Sequence, residues 1–80
     1  MNKLKSQPRT VYTYGVYGIM EWQALIPTLD CMVRVPFTGG SLTGYGVRPA
    51  TFSTDNAVLA HFIEASRYFR TGRIRKLSQR

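Results

Sequence analysis

Apolar residues recur at spacings of three and four through Val58, Leu59, Phe62, Ile63, Ala65 and Phe69, which predicts a helix with one buried face over about residues 55–70. Thr54 stands where an N-cap hydroxyl accepts a hydrogen bond from a free amide of the first turn. Asp55 follows with a carboxylate at the positive end of the helix dipole, and Arg67 and Arg70 fall in the last turn, where that dipole favours cations. Gly72 supplies the left-handed residue that ends a helix, after which Ile74 and Leu77 resume an apolar pattern. With a short strand at 50–53, the run 49–77 reads as strand, capped helix, stop and strand.

Elsewhere the period shortens to two. Cys31, Val33, Val35 and Phe37 point one way and Met32 and Arg34 the other, a half-buried strand that Pro36 confines to an edge. Cys31 is expected on the apolar side, as a small hydrophobe. Before it, Trp22, Ala24 and Ile26 alternate with Gln23 and Leu25 until Pro27, as either a strand or a single helical turn. Residues 11–20 are β-prone and apolar on both faces, with Tyr12, Tyr14 and Val16 on one and Val11, Tyr17 and Ile19 on the other. Such a segment is a central strand or an arm laid across a neighbour, and Gly15 and Gly18 permit bends or close backbone approach. Residues 38–48 hold four of the seven glycines and form a surface loop or wide hairpin connection with Tyr45 at its tip.

These elements predict a small single-domain α+β fold: one helix packed on a few short antiparallel strands, with an extended N-terminal arm. The expected organisation is an arm or strand region over 1–28 and an α+β core with a basic tail over 29–80. Eighty residues bury little surface, and the single cysteine rules out an internal disulfide, so oligomerisation is the expected extra source of stability. Tyr12, Tyr14, Tyr17, Trp22 and Tyr45 are the expected subunit contacts, because such rings cover area while keeping a polar tip.

Charge changes the picture more than composition does. The chain carries a net +7, which points to an anionic partner, either nucleic acid or an acidic protein surface. Six cations and no acid lie between positions 67 and 80: Arg67, Arg70, Arg73, Arg75, Lys76 and Arg80. Glu64 is positioned to pair with Arg67 three residues on. The sequence holds no recognition helix motif and no stacking aromatics in register, so any nucleic-acid contact is expected to be non-specific and salt-sensitive.

Catalytic chemistry has little to work with. His61 is the only histidine, and with four acidic residues it makes no credible metal site and no active partner for Cys31. The glycine-rich stretch lacks the lysine and hydroxyl that end a P-loop. The sequence therefore predicts no enzyme, no cofactor and no small-molecule substrate. No apolar run is long enough to span a membrane, and the basic first ten residues are not followed by the apolar core of a secretory signal.

The run Phe52-x-Thr54-Asp55, then Leu59, Ile63-Glu64-x-Ser66, Phe69, Gly72 and Ile74 resembles a short module of small structural proteins of tailed bacteriophages. Residues 33–40 fit as a strand and turn before it. The resemblance covers about residues 50–77. It implies a structural protein of the virion (minor capsid, decoration or connector component), assembled in the host cytoplasm through contacts with other virion proteins or copies of itself. The alternative is a small basic protein that binds nucleic acid non-specifically.

Overall fold

A computed structural model describes residues 10–42 and 47–80; Tyr45 and the basic positions before Thr10 lie outside them. The chain is α+β. Its elements are β1 (Tyr12–Val16), β2 (Trp22–Pro27), β3 (Met32–Phe37), β4 (Ala50–Thr54), α1 (Ala57–Ala65), α2 (Arg67–Arg70) and β5 (Arg75–Gln79). β1 lies between β4 and β5 in an antiparallel sheet of three strands, and β2 and β3 form an antiparallel hairpin. Thr38 and Thr51 exchange backbone hydrogen bonds of 3.1 and 2.8 Å, joining the end of the hairpin to β4.

The segment with two apolar faces is thus the central strand of the chain's own sheet. Tyr14 and Val16 face the core, and Gly15 faces the opposite side, where Leu77 lies across it. A Cβ at Gly15 would stand 2.6 Å from the Leu77 Cδ1 and 3.1 Å from the Pro49 Cβ. A bulge in β5 between the partners of Thr13 and Tyr14 turns Leu77 to that side. The expected boundary at 28/29 coincides with no break in packing. Tyr14, Val16, Ala24 and Ile26 join Val35, Phe37, Ala50, Ala60, Ile63 and Ile74 in one core.

The helix differs from expectation at both ends. Asn56, not Thr54, is the N-cap: its Oδ1 accepts from the amides of Val58 and Leu59 at 3.0 and 3.1 Å. Thr54 instead accepts from the Asn56 amide at 3.0 Å, which leaves Asp55 ahead of the first turn. The helix also breaks at Ser66, whose backbone is extended (φ −75°, ψ 159°). The buried Ser66 hydroxyl donates to the Ile63 carbonyl at 2.6 Å and accepts from the Phe69 amide, ending α1 and capping α2. Ala60 and Ile63 are the buried side chains of α1, with Leu59, Phe62 and Phe69 packed against the core, while Val58 and Ala65 face outward. Gly72, at φ +84°, closes α2 as expected.

Cys31 is exposed rather than apolar-facing. It belongs to the turn before β3, where its carbonyl accepts from the Thr28 amide and hydroxyl at 2.8 and 2.9 Å, so the inward alternation begins at Val33.

Two outcomes follow for stability. Ile63→Ala should cost about 2–5 kcal/mol and Val58→Ala no more than about 0.5 kcal/mol, as read by urea unfolding. Equal costs would mean that another face of α1 is buried. Gly40→Ala should also destabilise strongly, because a Cβ there would lie 2.0 Å from the Ile19 carbonyl oxygen, which is backbone and moves only with its strand connection.

Candidate functional site

The six cations expected to meet an anionic partner do not form one strip. Lys76 projects to the helix side of the sheet opposite Tyr14, and its Nζ lies 3.1 Å from the Glu64 Oε2. The Tyr14 hydroxyl donates to the same oxygen at 2.6 Å. Glu64 therefore pairs with Lys76 rather than with Arg67, and Lys76 is engaged by the chain's own carboxylate while staying exposed. The Arg73 guanidinium lies 5.0 Å from the Trp22 ring centre, and Arg75 lies 6.0 Å from that of Tyr17, on the opposite face from Lys76. Arg80 sits at the end of β5, exchanging backbone hydrogen bonds with Val11. Only Arg67 and Arg70, both on α2, stand together beside a groove.

The expected aromatic contacts divide similarly. Tyr14 is fully buried, with its ring edge-on to Phe69, so it serves the core and is unreachable by a neighbour. Tyr12 is half-buried on β1. Trp22 stacks on Phe37 and meets Tyr68 edge-on at 4.9 Å. Tyr17 remains exposed.

The surface that pattern reading missed is the end of the β2–β3 hairpin. Leu29, in the turn, is 91 % exposed. On one side of it an open cleft of about 370 Å³ runs between the hairpin and α1, lined by Val33, Val58, Leu59 and Phe62, with Asp30 and Asn56 at its rim. On the other side a groove of about 380 Å³ lies between Leu25, Pro27 and Met32 and the α1–α2 junction. Val58 is 64 % exposed, Met32 57 % and Leu25 43 %. Exposed large apolar side chains also occur elsewhere, at Tyr17, Met20, Leu42 and Val47, but Leu25, Leu29, Met32 and Val58 line the two clefts at the hairpin end. The available signal was the outward register of Leu25 and Met32 and the turn chemistry around Pro27 and Asp30 that isolates Leu29.

Among the described residues no group of His, Cys, Asp and Glu is placed to hold a metal ion. His61 is exposed on α1 and Cys31 lies in the hairpin turn. No helix is long and apolar enough to cross a membrane among the described residues. No family model, curated protein or solved structure matches the chain.

The Tyr14–Glu64–Lys76 cluster sets a pH dependence. The Tyr14 hydrogen bond, assisted by Lys76, holds the Glu64 carboxyl below its usual value, while burial and then Glu64 push the Tyr14 hydroxyl well above its own. The depressed Glu64 stabilises the fold above about pH 4.3, and that contribution fades as pH falls through its folded pKa; the raised Tyr14 contributes below about pH 10 and fades as pH climbs beyond it. Tyr14→Phe should flatten both flanks of stability against pH in urea titrations. Unchanged slopes would remove the cluster from the account.

Proposed function

We propose that this chain is a structural subunit of a bacteriophage particle and acts through protein–protein contacts. The observation that carries the proposal is the hairpin end, where Leu25, Leu29, Met32 and Val58 are left to solvent while the core beneath is closed. Exposed apolar side chains grouped around clefts are the kind of surface that a partner covers. The virion assignment itself draws on the resemblance over about residues 50–77. Its positions run through one strand–helix–strand stretch. Phe52 and Thr54 lie on β4, and Asp55 stands before the cap, which is Asn56 rather than Thr54. Leu59, Ile63 and Glu64 follow on α1, Ser66 at the break, Phe69 on α2, Gly72 after it and Ile74 in the core. The minor capsid, decoration and connector roles are all consistent with this arrangement.

The nucleic-acid alternative is less favoured by the distribution of charge. On β5, Lys76 is held by Glu64 and Arg75 faces away from it, and the arginines that do stand together, on α2, border an apolar groove rather than a cationic track.

Quantitative mass spectrometry of density-purified particles tests the proposal. The chain should be present in fixed ratio to the other virion proteins and remain after nuclease treatment and a high-salt wash. Its restriction to the soluble lysate, or release by nuclease, would contradict it.

A further inference from the structure

The groove between β2 and the α1–α2 junction combines two properties. Its apolar side is Leu25, Pro27 and Met32, and its cationic side is Arg67 and Arg70 on α2. Arg34 adds a third cation, since it stands opposite Leu25 in the hairpin register and so shares its outward face. Among the described residues no carboxylate pairs with Arg34, Arg67 or Arg70. Glu64, one helical turn before the groove, is already taken by Tyr14 and Lys76. The break at Ser66 makes this arrangement: it ends α1 beside Ala65 and redirects the chain so that Arg67, Tyr68 and Arg70 form one wall.

We propose that this groove docks an acidic segment of a partner protein, one that presents an apolar side chain flanked by carboxylates. The inference rests on reading the chain as a protein-binding subunit and adds the partner's chemistry. Three arginines beside an apolar floor match a segment of that composition at both levels, since carboxylates accept the guanidinium hydrogen bonds and an apolar side chain covers Leu25 and Met32. A phosphate backbone would engage the arginines but leave the floor wet. Tyr68 is the one aromatic ring lining the groove, and a single ring gives no succession of stacking sites for bases. A second copy brings a net charge of +7 against +7, and its hairpin tip carries a single carboxylate, Asp30. Charge complementarity therefore selects a foreign, acidic partner.

Titration of the full chain into a fluorescein-labelled short peptide alternating Leu and Phe with Asp and Glu reads the docking as anisotropy. Saturable binding is expected. Arg67→Gln with Arg70→Gln should weaken it by roughly tenfold, and Met32→Ser by a comparable factor. Arg75→Gln with Arg80→Gln, which removes equal charge from β5, should leave it unchanged. All of these side chains are exposed, so the variants keep the fold, as circular dichroism would check. Equal weakening by the two double variants would reduce the effect to net charge and overturn the proposal. Displacement of the peptide by single-stranded DNA of equal charge would replace the protein partner with nucleic acid. Sedimentation showing self-association that Arg67→Gln with Arg70→Gln abolishes would replace it with a second copy. Peptide binding is measured on the isolated chain, so its failure leaves particle membership standing, and absence from particles leaves the binding result standing.

Discussion

The fold depends on one strand and one tyrosine within it. β1 supplies both edges on which β4 and β5 assemble, pairing residues near the start of the described chain with Thr54 on one side and Gln79 on the other. Tyr14 then fastens that sheet to α1: its ring is buried against Phe69 and its hydroxyl donates to Glu64, which also holds Lys76. A buried phenol left unpaired would cost roughly 1–3 kcal/mol, so satisfying it with a carboxylate at the sheet–helix junction fixes how the two layers meet. The same contact pairs Glu64 with Lys76 and leaves the α2 arginines without their nearest acid.

Elements with a strong local signature were legible in the sequence. The alternation of Val33, Val35 and Phe37 reports an inward face directly, because period two survives whatever the strand pairs with. That of Trp22, Ala24 and Ile26 left a helical turn open until the hairpin pairing decided it. Gly72 ended its helix for the reason its missing Cβ gives. The helix interior was less legible. Nothing in a 3.6-residue pattern reveals that Ser66 will spend its hydroxyl on the Ile63 carbonyl, and that break decides which side chains after Ile63 remain on the buried face. Thr54 was read as the cap, and the backbone geometry gives that role to Asn56, two residues on.

The role of β1 was undecidable from its own residues. A strand apolar on both faces satisfies a central position or a neighbour's surface equally well, and the choice rests on Leu77 folding across Gly15 from the far end of the chain. The candidate contact residues were misjudged for the same long-range reason. Tyr14 looked like an interface residue and belongs to the core, whereas Leu29 drew no attention in a turn and is the most exposed of the large apolar side chains described.

What remains outside the closed core is a surface with a division of labour. The hairpin end exposes apolar side chains, the groove beside α2 adds cations to them, and Arg73, Arg75, Lys76 and Arg80 lie on or beside β5, with Lys76 paired to Glu64. Photocrosslinking from the hairpin tip tests the reading of this end as the working surface most directly. With a benzophenone side chain in place of Leu29, irradiated particles should yield a discrete crosslink to another protein. The same group in place of Ser78, on the far side of the sheet, should yield none. Crosslinks to nucleic acid, or equal crosslinking from both positions, would contradict it.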